Sequence, residues 1–122
     1  MSAISDVQPV GGSVTLNIAD ATAVTSAAAD LLGNRLVGIV MPATWTAAVM
    51  TFQVSNDGIT YQELYGSTGS AISYTVVQAH NVNVPIADFA AWQFIKVRSG
   101  TSGTAVNQSG GTNVILVAKP VK

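Results

Sequence analysis

An all-β, single-domain antiparallel β-sandwich, jelly-roll-like and with about eight strands, is the architecture expected of this chain. Valine and alanine supply the bulk of a 48% apolar fraction while aromatics contribute only 7%, and β-branched valine suits a pleated strand. Short apolar runs recur along the chain, each bounded by Gly, Pro, Asn, Asp or Ser, the punctuation expected of sandwiches and jelly rolls. A length of 122 residues is enough for one core and not for two.

Residues 1–12 contain Pro9 and the pair Gly11-Gly12 with little periodicity. They are assigned to an N-terminal arm ahead of a sandwich domain over 13–122, because termini stay loose unless tied down. Val14-Thr15-Leu16-Asn17-Ile18 alternates apolar and polar, a half-buried strand. Residues 25–32 carry helix-favouring alanines, a Ser26 cap and Gly33 as a stop, so two helical turns are expected there. Residues 36–41 are almost continuously apolar up to Pro42, which reads as a strand buried on both faces. Residues 49–54 alternate and run into Ser55-Asn56-Asp57-Gly58, a hairpin signal because Asp and Gly tolerate positive φ. The return strand is placed at 60–65, with further strands at 71–77, 82–84, 94–98 and 114–119. A single helical turn is expected at 86–91, and the Gly/Ser/Thr-rich residues 99–112 form a long polar loop.

Charge is scarce. Asp, Glu, Lys and Arg make up 9% of the residues, against roughly 25% in an average soluble domain. A lone soluble monomer normally carries more interspersed charge to stay dispersed, so much of the outer surface is expected to be covered in an assembly. A net charge of −1, with five unclustered basic residues, gives no electrostatic case for nucleic acid or an anionic membrane. No apolar stretch approaches the ~18 residues of a membrane span. The first six residues lack the basic and apolar regions of a secretory signal.

Chemically reactive side chains are few: one histidine and no cysteine. Asp57 and Glu63 flank the expected hairpin and could approach as an acid–base pair, but a turn acid and a solvent-facing acid are the favoured reading. His80, in Gln78-Ala79-His80-Asn81, lacks a second His or any Cys to complete a metal site. Neither a G-x-S-x-G elbow nor a phosphate-binding Gly-rich loop followed by Lys-Ser or Lys-Thr occurs. No catalytic, cofactor-binding or metal residue is assigned. Among aromatics, Trp45 lies in a connection near a rim, Tyr61 and Tyr65 are four apart on one face of the return strand, and Trp92 precedes the strand at 94–98. Trp45, Tyr65 and Trp92 are the candidate partner or glycan contacts. The favoured reading makes Trp92 and Phe94 core and lets Trp45 plug one end or meet a subunit.

The hairpin Phe52-Gln53-Val54-Ser55-Asn56-Asp57-Gly58-Ile59-Thr60-Tyr61, followed by Glu63-Leu64-Tyr65, is similar to a segment of small β-sandwich proteins encoded among tailed-bacteriophage structural genes. So are Trp92-Gln93-Phe94-Ile95-Lys96-Val97-Arg98-Ser99-Gly100-Thr101, Ala105-Val106-Asn107-Gln108 and Val114-Ile115-Leu116-Val117-Ala118-Lys119. The similarity spans about two thirds of the chain, residues 36–119, and the layout also resembles galactose-binding-like jelly rolls. It looks like a head decoration (cement) or head-fibre component. The resemblance implies a non-enzymatic virion protein on the capsid exterior, made in the host cytoplasm, trimeric and bound to the major capsid protein. The alternative is a carbohydrate-binding module, displayed on a virion or elsewhere, that uses loop aromatics.

Overall fold

The strands of this chain pass back and forth between two antiparallel sheets, except for one run of three that stays in a single sheet. In the computed structural model, which describes residues 12–120, the elements are β1 (Gly12–Ile18), β2 (Ala29–Asp30), β3 (Arg35–Val40), β4 (Val49–Ser55), β5 (Gln62–Glu63), β6 (Tyr74–Thr75), β7 (Asn81–Asn83), α1 (Ile86–Phe89), β8 (Phe94–Ser99) and β9 (Thr112–Lys119). One sheet has the order β1-β9-β3-β7, the other β2-β8-β4-β5, with β6 also pairing β4. When β5 and β6 are taken as one interrupted strand beside β4, this is the eight-stranded wiring of a jelly roll. Apart from Gly12, which opens β1, the arm expected over 1–12 lies outside the described residues.

The core forms where the inward faces meet. Leu16, Ile18, Val114 and Leu116 of one sheet, with Met50, Phe52, Ile95 and Val97 of the other, are buried in a single cluster. Phe52 meets Phe89 of α1 edge-on, with ring centroids 4.9 Å apart at 87°. Burying each such ring is worth about 2–3 kcal/mol.

Three local expectations need correction. Residues 25–32 are not helical. Thr25 N–H donates to the Val97 carbonyl at 3.0 Å, Ala29 pairs with Ile95, and Leu31 N–H donates to Gln93 at 2.8 Å. The weak helix preference of alanine yields to an available strand partner, and Ala29 and Leu31 alternate into the core. Strand β3 is not buried on both faces: only Leu36 and Ile39 are fully buried. Both can face inward although three apart because the register with β9 slips between Val117 and Ala118, leaving Val37 as the extra residue of a bulge. Finally, the runs at 60–65 and 71–77 keep only two strand residues each, at β5 and β6, besides an isolated bridge between Tyr65 and Ala71.

The wiring sorts the connections between two ends. One end carries the β1–β2, β3–β4, β6–β7 and β8–β9 connections, hence Trp45, His80 and the long polar loop. The other carries the β2–β3, β4–β5 and β7–β8 connections, hence Leu32, Asp57, Ile59 and Trp92.

Candidate functional site

The three aromatics named from the sequence do not converge. Trp45 is only 8% exposed, and its indole N–H donates to the Ala48 carbonyl at 3.2 Å. It closes its own end of the sandwich from within the loop that Gln108 holds at Thr46. Tyr65 and Trp92 instead line one cleft of about 340 Å³ beside β5, at the edge of the other sheet. Tyr65 is 54% exposed, whereas Trp92 is half-buried and packs against the core margin. A Trp45–Tyr65 sugar platform is therefore ruled out by position, and Trp92 and Phe94, expected in the core, are both only half-buried, Trp92 as cleft wall packed against the core.

Asn56, Thr60, Gln62 and Glu63 complete the polar side of that cleft, with Val54 and Leu64 on the apolar side. The Glu63 oxygens are already engaged. Arg98 grips them with both Nη atoms, Nη1 to Oε2 at 2.9 Å and Nη2 to Oε1, and Gln53 donates to Oε2 at 3.1 Å. Arg98 Nε donates in turn to Thr51 Oγ1 at 3.0 Å, whose hydroxyl donates to the Gly100 carbonyl at 2.7 Å. The Arg98 hydrogen bonds hold the Glu63 carboxyl below the usual carboxylate range, against the opposing effect of burial.

The other acid candidates also serve the fold. Asp57 Oδ1 accepts from Ile59 N–H at 2.8 Å, Thr60 N–H at 3.0 Å and the Ser55 hydroxyl at 2.8 Å. Those bonds, Thr60 foremost, lower its pKa to about 2. Gly58, at φ +78, turns the chain directly over the Phe94 ring, where an added Cβ would lie 3.1 Å from it. Tyr61 places its ring 4.6 Å from Lys96 Nζ. Its hydroxyl is pushed to higher pKa by burial and by the negative charges of Asp57 and Asp30. Tyr74 is also raised, by burial and by donation to Asp88 at 2.7 Å. His80 directs Nδ1–H at the Gln78 carbonyl, 2.8 Å away. Among the described residues no three of His, Cys, Asp and Glu cluster as metal ligands, and no helix is long and apolar enough to cross a membrane.

No family model, curated protein or solved structure matches this chain. The site therefore rests on its own geometry. Sequence reasoning named Tyr65 and Trp92 but missed Asn56, Thr60 and Gln62 as their neighbours. The hairpin signal at Asp57-Gly58 was the available clue, since it folds both flanks of the turn to the same sheet edge. The buried Arg98 left no trace in the pattern, because it occupies an ordinary outward position of β8.

Proposed function

We propose that the chain is a non-enzymatic virion structural protein: a capsid decoration or cement protein on the head exterior. In this reading it is made in the host cytoplasm, acts as a homotrimer, and bridges neighbouring subunits of the major capsid protein. The carrying observation is where charge and apolar surface sit. Asp57 and Glu63 are spent on the protein's own turns and pairs, while Leu32 and Ile59 stand 75% and 84% exposed. They lie at one end of one sheet, since Asp30 and Ser55, the last residues of β2 and β4, both pair with Phe94. Apolar knobs on a charge-poor surface suit a covered interface, because subunit contacts are depleted in charge. The resemblance of residues 36–119 to phage head proteins supports the same reading. Its mechanism is mechanical: rigid sandwiches make several weak contacts whose sum is tight.

Light scattering at micromolar concentration is expected to give a multiple of the 12.5 kDa chain mass, and the protein is expected to co-sediment with tailed-phage capsids stripped of their decoration. A monomer that stays soluble at high concentration and leaves those capsids bare overturns the reading.

A further inference from the structure

The cleft beside β5 differs from a second cavity of equal volume in pairing unpartnered polar side chains with an exposed aromatic ring, Tyr65. That second cavity, at the opposite end, also presents polar side chains without a partner among the described residues, including Thr44, Gln78 and Ser109, but its one aromatic ring is the buried Trp45. Gln108 bonds Thr46 in both directions, and the Trp45 indole is bonded to Ala48. Around the β5 cleft, the side chains of Asn56, Thr60 and Gln62, the Tyr65 hydroxyl and the Trp92 indole N–H have no hydrogen-bond partner among the described residues. Its one charged group, Glu63, is neutralised by Arg98. The lining thus combines two aromatic rings, an apolar floor from Val54 and Leu64, unspent amide and hydroxyl groups, and no free charge.

That combination selects a ligand class. A charged ligand would meet no counter-charge, and a purely apolar one would strand the amides. A neutral polyhydroxylated ring satisfies both halves. Its hydroxyls, each donor and acceptor, match side-chain amides that also do both. Its C–H face carries partial positive charge and fits the negative face of an aromatic ring. The cleft volume of about 340 Å³ lies at the lower end of ligand sites, suited to one or two sugar rings. We infer that the cleft lined by Tyr65, Trp92, Asn56 and Gln62 binds a neutral pyranose unit of a glycan. Tyr65 supplies the exposed stacking face, and Asn56 and Gln62 read the ring hydroxyls. The site does not depend on the capsid reading.

The test is a titration of the isotope-labelled full chain with glucose, galactose, N-acetylglucosamine and β-linked disaccharides of each, to about 20 mM, because a single small site of this kind binds in the millimolar range. At least one sugar is expected to shift the Asn56, Gln62 and Tyr65 amides and the Trp92 indole N–H, with the Trp45 indole stationary. Tyr65→Ala, at an exposed position that leaves the core intact, should weaken binding about tenfold or more, and Gln62→Ala should weaken it independently. The inference is overturned if no sugar moves these signals, if the shifts survive both substitutions or centre on Trp45, or if a short neutral peptide binds where the sugars do not. Loss of capsid binding with sugar binding intact would overturn the decoration reading alone.

Discussion

The Gln108 side chain clasps the Thr46 peptide from both sides: Thr46 N–H donates to Gln108 Oε1 at 2.8 Å, and Gln108 Nε2 donates to the Thr46 carbonyl at 2.9 Å. One buried amide thereby acts as a strand for the loop that carries Trp45. Its own backbone is tied to β1–β2, donating to the Thr22 carbonyl at 2.8 Å and accepting from Ala21 at 2.9 Å. Three connections at one end of the jelly roll therefore share a single residue.

Gln108→Leu should remove both bonds while nearly keeping the volume, costing about 2 kcal/mol. Denaturant unfolding followed by tryptophan fluorescence checks this. The native Trp45 emission should also shift to the red as its loop loosens, whereas a variant of unchanged midpoint and emission would show the clasp to be dispensable.

Arg98 and Glu63 make the second prediction. The Arg98 side chain is 6% exposed and that of Glu63 29%, so neutralising the acid leaves a nearly buried guanidinium without its counter-charge. Glu63→Gln is expected to lower stability by about 2–3 kcal/mol, measured by thermal and urea unfolding at neutral pH.

The acid limb of stability follows from the same groups. Glu63 and Asp57 both ionise more readily in the folded chain than in the unfolded one. As pH falls the unfolded chain takes up protons first, so the stability they contribute is full above about pH 5 and drains away below it. The Asp57 share persists until its folded value of about 2 is crossed. The thermal midpoint should therefore hold steady near neutrality and fall between about pH 5 and 2, less steeply in Glu63→Gln and Asp57→Asn. His80→Asn should leave the neutral plateau unchanged, and a midpoint that moves there would make His80 a real site.

What could be read from the residues alone follows from how local each signal is. The β4 hairpin was legible because alternation, Asp57 and Gly58 are neighbours in the chain, and β8 and β9 because their apolar periods are long. The Ala29–Asp30 strand was not, since its only cause is β8, some 65 residues away. The bulge at Val37 was equally hidden, because a slipped register belongs to two strands at once. For the cleft, the aromatic members could be named but not grouped. Which tryptophan shares an end with Tyr65 depends on the order in which strands cross between sheets.

Gly100 is a position where the fold admits only glycine. At φ +86, an added Cβ would lie 2.4 Å from the Thr104 carbonyl oxygen and 2.7 Å from the Val106 nitrogen. Both are backbone atoms in the turn that returns Val106 N–H to Ser99 at 3.0 Å. Gly100→Ala should cost more than the ~1 kcal/mol of a positive φ alone, about 3 kcal/mol or above, whereas Gly103→Ala, with open space around it, should be nearly neutral. Equal midpoints for the two variants would contradict the geometry.

Leu32 sets stability against assembly. It holds φ +54 in the turn between β2 and β3, where its N–H is fixed by Asp30 Oδ1 at 2.9 Å, and its side chain stands in solvent. A bulky residue in the left-handed region costs roughly 1 kcal/mol, and an exposed leucine gains nothing in the free chain to offset that. Asparagine tolerates the same backbone, so Leu32→Asn should raise the unfolding free energy of the free chain by about 0.5–1 kcal/mol. If Leu32 is kept for a partner, the same substitution should reduce the oligomer or the capsid-bound fraction, with Ile59→Ser doing likewise at little cost in stability. Calorimetry and light scattering on the same samples separate the two effects. A variant that is more stable and assembles as well as the parent would remove Leu32 from the interface.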